Sequence, residues 1–401
     1  MGILGISRRG VLLGTTGALG AAAFSRPMPA IAQSEPIKIG WLAAMTGPSS
    51  APTVGFNRGV TFAVDAINAA GGVKGRKIEV ITRDTQGDPT KAVNATQEMI
   101  SQLKVHGIWG PVNSGEALAT TPIMARAKIP DIHPCVVESL IDPAKFPNAF
   151  RMAPSNSQWD DAVRNYCLAI LKVKKIAVFG DTTGYGVTAV GASVAAFKKD
   201  GAEVVYQANI DATQPDMTPD MLRAKNAGAE VIVVWSVATS MEARMFNTRA
   251  TMNWDVAFVG HPSLASGDIA GLIEKPANWE KVYAVGYKSC SYDAAGKLPA
   301  KSQQLVDRLT KANIALNDTL LWWIAGGIDA VELFAGAVEA SGSTDAPGII
   351  AHLNTLTKYP GYFGNYTFTP TQHNGYPTEE IVMSAANSAK SGTFALAPGY
   401  A

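Results

Sequence analysis

The 401-residue chain has only three cysteines, Cys135, Cys167 and Cys290, an odd number whose spacing matches no disulfide framework. We expect them to be buried as small apolar residues. Its five histidines are scattered without metal-ligand spacing, and no HExxH occurs. There is no GxxxxGK[ST] phosphate loop and no GxSxG nucleophile elbow. Gly184-Tyr185-Gly186 lacks the third glycine of a dinucleotide fingerprint. These absences argue against the common enzyme classes and imply neither metal nor cofactor. The formal net charge is +1, so no basic excess points to nucleic acid. Beyond the N-terminus no run reaches 18 apolar residues, so direct membrane insertion is not expected.

What the chain does have begins with a leader. Ser7-Arg8-Arg9-Gly10 precedes a weakly apolar run, and Ala30-Ile31-Ala32 is a small-x-small cleavage site. Residues 1–32 therefore read as a cleaved signal peptide, and the paired arginines favour the twin-arginine route over the general secretory one. No lipoprotein-type cysteine lies near the site. Cleavage removes three arginines and no acid, leaving 31 basic against 33 acidic residues, a net of −2. The expected location is the periplasm.

The 401-residue chain as a whole is 47% hydrophobic and 17% charged, an ordinary globular mixture long enough for two domains. Short apolar runs alternate with helical ones. Strands are expected at Ile37–Trp41, Lys77–Thr82, Ile108–Trp109 and Ile129–His133. Asp88-Pro89 should open a helix, as N-cap and first turn. The rhythm restarts with strands at Lys175–Phe179, Glu203–Ala208, Glu230–Trp235, Val256–Val259 and Val282–Tyr287. Such alternation makes parallel sheets covered by helices, here in two lobes. A long helix, Thr319–Glu339, is assigned to the first lobe, so the chain must cross between lobes more than once.

Open parallel sheets bind ligands beyond the carboxyl ends of their strands. The residues there are Met45 to Ser49, then Asn113-Ser114-Gly115, then Cys135-Val136-Val137-Glu138. In the second half they are Asp181 to Tyr185, Ser236-Val237 and Gly260-His261-Pro262. Ser114 is expected at a helix start, where free N–H groups and the helix dipole favour a carboxylate without any lysine or arginine. The plainer alternative is that Ser114 only caps its own helix. Trp109 and Trp235 end strands at matching places, so they read either as apolar walls of a cleft or as core packing.

Several pieces resemble the periplasmic solute-binding proteins of ABC importers, in the branched-chain amino acid (Leu/Ile/Val) group. They are IKIGWLAAMTGPSS, FAVDAINAAGGVKGRKIEVITRDTQGDP, FPNAFRMAPSN, DTTGYG and DAVELFAGAVEASG, spread from Ile37 to Ser341. The resemblance implies a type I binding fold: two Rossmann-like lobes, a three-strand hinge, and a cleft that closes on ligand. It implies delivery to a membrane permease and its ATPase by a monomer. The lobes would be residues 33–153 with 287–361, and 154–286 with 362–401. In that family a serine after strand three and a threonine after strand four together hold the ligand α-carboxylate and ammonium; Ser114 matches the serine, and Tyr185 matches a second-lobe tyrosine. The family threonine falls at Val137, with Cys135 two residues earlier. The acid that pairs with the ammonium falls at Pro262. The two positions of the family disulfide fall at Gly87 and Asn113.

A buried ammonium without a carboxylate is costly. The loss of that acid therefore favours an organic acid, aromatic or aliphatic, over an amino acid, with an amide or urea-like ligand behind both. Glu138 or Asp181 could restore an ammonium site from nearby. Two readings of another kind are an enzyme, for which only the pairs His133 with Glu138 or His261 with Asp181 qualify, and a soluble sensor.

Overall fold

The computed structural model describes residues 35–47 and 49–400, so the leader reading and Pro48 lie outside the described residues. Among the described residues, ten of the fifteen strands build the parallel parts of two large sheets and mostly alternate with helices. They are β1 (Ile37–Ala43), β2 (Ile78–Asp84), β3 (Gly107–Trp109), β4 (Asp131–His133), β5 (Ala149–Arg151), β6 (Lys175–Asp181), β7 (Glu203–Ile210), β8 (Val231–Trp235), β9 (Ala257–Gly260) and β10 (Val282–Tyr287). The first sheet is parallel, in the order β2-β1-β3-β4-β5. The second runs β10-β9-β8-β6-β7, also parallel, with a C-terminal strand, Ile381–Ala385, added antiparallel at the β10 edge. Every residue of β8, Val-Ile-Val-Val-Trp, is buried, as strands covered on both faces require.

Helices α1 (Ser50–Ala69), α2 (Pro89–Ser101) and α3 (Ser114–Ala127) belong to the first sheet, and α4 (Asn156–Asn165) and α5 (Gly184–Lys199) follow the first crossing. The start of α2 is as expected: the Asp88 carboxylate accepts from Thr90 N at 2.7 Å and Lys91 N at 3.0 Å. Then come α6 (Thr218–Asn226), α7 (Thr239–Thr251), α8 (Ala300–Lys311) and α9 (Leu321–Ser341). α9 is long and apolar enough to cross a membrane, yet 83% of its apolar window is buried inside the fold. It lies against α1, and glycine makes that approach possible. A Cβ at Gly59 would stand 2.0 Å from Ile324 O, and one at Gly327 2.1 Å from Phe56 O. α9 is thus locked to the first lobe.

The three cysteines are free and buried. The third crossing comes later than the boundary at 361/362. After Gly364 the chain turns back along the open edge of β5. Arg151 N donates to His373 O at 2.9 Å, and Gly375 N donates to Arg151 O at 3.0 Å. The His373 and Phe368 rings pack on Phe150, with His373 stacked at 4.1 Å. Residues 362–376 therefore stay with the first sheet, because its edge strand takes their hydrogen bonds. Only then does the chain reach the strand Ile381–Ala385.

Candidate functional site

In both sheets the strand order reverses beside the first strand of the series, between β1 and β3 and between β6 and β8. Crevices open at such switch points. Here the two crevices face each other and enclose a small cavity of about 20 Å³. The first lobe contributes Ser49, Asn113, Ser114 and Val136, and α9 adds Trp323. From the second lobe come Trp159, Tyr185, Val237 and His261.

Asn113, not Ser114, is the N-cap of α3. Its Oδ1 accepts from Gly115 N at 2.8 Å, and its Nδ2 donates to Ser49 Oγ at 3.0 Å. Ser114 is the first helical residue, 1% exposed, and its Oγ accepts from Val136 N at 3.4 Å. Its hydroxyl proton is therefore free to donate, beside the positive end of the helix. The α5 start is built the same way. Thr183 caps it by accepting from Gly186 N at 3.2 Å. The two helix starts meet across the lobes: a Cβ at Gly184 would lie 2.8 Å from Gly115 Cα.

Asp181, wholly buried, accepts from Thr183 N at 2.9 Å, Ser236 Oγ at 2.8 Å and Val237 N at 3.3 Å. Both its oxygens hold loops, so it is spent as an ammonium partner and does not contact His261. His261 Nδ1 accepts from Ser263 N at 3.1 Å, which leaves the proton on Nε2. Burial pushes the imidazole down to about 3, so it stays a neutral donor. Its ring meets Trp159 edge-on at 5.0 Å and Tyr185 at 5.3 Å. The Tyr185 hydroxyl is buried and has no hydrogen-bond partner among the described residues. Burial raises its phenol well above the usual value, so the proton remains.

The sequence reading placed several residues here that the structure puts elsewhere. Trp109 is buried in the core, edge-on to Phe334 at 6.2 Å, and Trp235 is also fully buried away from the cavity. Strand side chains stand perpendicular to the sheet and enter the helix layers, so a strand's last tryptophan does not reach past its end. The aromatic walls instead come from helix starts, Trp159 in α4 and Trp323 in α9. Neither was foreseen; both are tryptophans within the first turn of a helix. Trp159 Nε1 donates to Tyr287 Oη at 2.9 Å, and Trp323 stacks on Trp322 at 3.5 Å. Val136, not Val137, faces the cavity; Val137 and Cys135 pack with Ala117 and Leu140 in a satellite cluster. Pro262 only starts a short 3₁₀ turn beside the cavity. His133 contacts the Cys135 thiol, while Glu138 accepts from Ser157 N at 3.0 Å and faces Arg151 at 3.6 Å. Neither histidine–carboxylate pair is formed.

Comparison with known proteins bears on this arrangement. A family model described as a periplasmic binding protein matches residues 36–389. The chain belongs to the periplasmic binding protein family. A Leu/Ile/Val-binding protein homolog of Brucella melitensis is 29% identical over 49% of this chain, which spans about half, 53%, of that relative. A Leu/Ile/Val-binding protein of Rhizobium johnstonii is 24% identical over 84% of this chain and 88% of its own. Solved type I structures share the fold. A branched-chain amino acid transporter binding protein of Streptococcus pneumoniae, in complex with isoleucine, superposes with a TM-score of 0.75 at 22% identity, covering 90% of this chain and 97% of that one. An R. palustris solute-binding protein in complex with 4-hydroxybenzoate gives 0.74 at 20% identity, covering 90% and 95%. This periplasmic binding protein thus shares one architecture with proteins whose ligands differ in chemistry.

Proposed function

We propose that this chain is the exported ligand-capturing component of an ABC importer. It takes a small carboxylate with an aromatic or aliphatic body between its lobes and delivers it to a membrane permease and ATPase. One observation carries the ligand class: the cavity is lined by hydrogen-bond donors and rings, and among the described residues no charged side chain lines it. The Ser114 hydroxyl, the α3 start, His261 Nε2–H and the Tyr185 hydroxyl can all donate to an anion. An ammonium there would meet no carboxylate and would carry a desolvation cost of several kcal/mol. Trp159, Trp323 and Tyr185 suit an apolar body between them.

Binding would proceed by closure. The anion first meets one lobe, and the other encloses it, so only contacts made in the closed form favour closing. Thermal denaturation of the purified protein tests the reading. Each hydrophobic amino acid is paired with its deaminated acid, and benzoate-type and cinnamate-type acids are added. Ligand that binds the folded state raises the melting temperature by mass action. Stabilisation by acids and not by their amino counterparts is expected. Stabilisation by leucine-like amino acids alone would sink the acid reading.

A further inference from the structure

Behind His261 lies a buried acid that the proposed site leaves unused. Glu242, in the first turn of α7, is 0% exposed, and no lysine, arginine or histidine forms an ion pair with it among the described residues. The charged groups that face it are both acids, Asp181 and Asp268. Asp181 is taken up by its loops, and Asp268 Oδ2 accepts from Thr239 Oγ1 at 2.6 Å. Among the described residues Glu242 Oε2 has no hydrogen-bond partner, and Oε1 meets only Ser263 Oγ, at 2.5 Å.

Counting protons fixes the sense of these contacts. Ser263 Oγ also lies 2.7 Å from His261 Nδ1 and 2.8 Å from Ser236 O. A carbonyl only accepts, and Nδ1 already accepts from Ser263 N at 3.1 Å, so neither carries a proton. The one hydroxyl proton of Ser263 is therefore shared between those two acceptors. None remains for Glu242, so the proton in the 2.5 Å contact belongs to its carboxyl group. Burial beside two other acids acts in the same sense and raises that group well above the usual glutamate value. A chain of donors then runs one way, from Glu242 through Ser263 to His261, and each bond polarises the next. It ends at Nε2–H, the ring nitrogen left for the cavity that His261 lines.

We propose that Glu242 is a positioning residue that, as a neutral acid, fixes His261 as a hydrogen-bond donor to the ligand. The inference rests on the anion reading of the cavity. An ionised Glu242 would draw the Ser263 proton to itself. Nδ1 would then face a bare oxygen lone pair at 2.7 Å and would take the ring proton, leaving Nε2 as an acceptor. The cavity would lose a donor for a carboxylate and gain an acceptor for an ammonium. The choice between an acid and an amine is thus set in part behind the wall of the cavity, by a residue that does not line it.

The test combines nitrogen-15 spectra of the histidine rings in the purified, unliganded protein with calorimetric binding of 3-phenylpropanoate. The His261 signals are identified by their absence in His261→Gln. In the parent they should show the neutral Nε2–H form. Glu242→Gln cannot ionise and still offers an N–H to Ser263, so it should keep that form and bind the acid as the parent does. Glu242→Met fills a similar space without a donor. There the Nδ1–H form should appear, and acid affinity should fall about fivefold, as the weakening of one hydrogen bond allows. An Nδ1–H form in the parent overturns the proposal. So does a Glu242→Met protein with the parent's spectrum, whatever its affinity, and so does a Glu242→Gln protein that behaves like Glu242→Met. If the parent binds no acid while the three spectra come out as expected, the anion reading falls and the control of His261 by Glu242 stands.

Discussion

The two lobes build their halves of the cleft from the same part, a capped helix start after a strand, and use it differently. In the first lobe Asn113 takes the capping role, which releases the Ser114 hydroxyl and the helix dipole toward the cavity. In the second lobe Thr183 caps, and Asp181 is consumed by Thr183, Ser236 and Val237. What reaches the cavity there is an aromatic hydroxyl, Tyr185, and a neutral imidazole, His261. One lobe thus offers electrostatics and the other offers surface with directed donors. The comparison teaches that a buried acid near a cleft is no evidence of a cation site until its oxygens have been counted.

The strongest way to break the pairing is to hold the lobes apart. Gly184→Val places branched carbons against Gly115 Cα, which a Cβ alone would approach to 2.8 Å. Overpacking of this kind costs about 1–3 kcal/mol. Opening the cleft relieves it, so ligand affinity should fall up to a hundredfold while unliganded melting stays near that of the parent. Calorimetry with the best-binding acid checks the first, and thermal denaturation the second. Within the first lobe, Ser114→Ala should weaken acids by roughly 1–3 kcal/mol through one charge-assisted bond. Unchanged affinity would remove Ser114 from the site. In the second lobe, Tyr185→Phe should cost about 1 kcal/mol in binding and leave stability equal or slightly higher, since it deletes a buried hydroxyl without a partner. A large loss of stability would mean that this hydroxyl has a structural partner.

Much of this frame was legible from pattern alone. The strands of both series and the Asp88-Pro89 helix start follow from apolar runs and capping chemistry, which are local properties. Ser114, Tyr185, Val237 and His261 at the cavity follow from the rule that parallel sheets bind at their strand ends. The tryptophans did not follow. Trp109 and Trp235 sit at the right height, but perpendicular side-chain direction sends them into the core. Trp159 and Trp323 reach the cleft only through how α4 and α9 dock, which no local spacing encodes. The late third crossing was hidden for a similar reason. Residues 362–376 have no strong strand pattern of their own, and only a single bridge to Arg151 at the edge of β5 ties them to the first sheet.

The smallest expected effect concerns pH, and it separates His261 the donor from His261 a charge. With its folded value pushed to about 3 by burial, the imidazole stays neutral through the working range. Lowering pH from 7.5 to 5.5 should therefore not tighten acid binding, as a forming imidazolium would. Stability is where the proton shows. Below its ordinary value of 6.5 the unfolded chain takes up a proton that the folded chain refuses, so stability falls as pH drops from 6.5 toward 3. His133, also held to about 3, acts in the same sense. Glu116 and Asp329, raised by burial to about 7, act in the opposite one and lose their contribution as pH rises toward 7. Comparing melting temperatures of the parent and His261→Gln across pH cancels the shared groups. The parent should lose ground to the variant steadily below pH 6.5, and a difference independent of pH would mean that His261 takes up its proton as readily in the folded protein as in the unfolded chain.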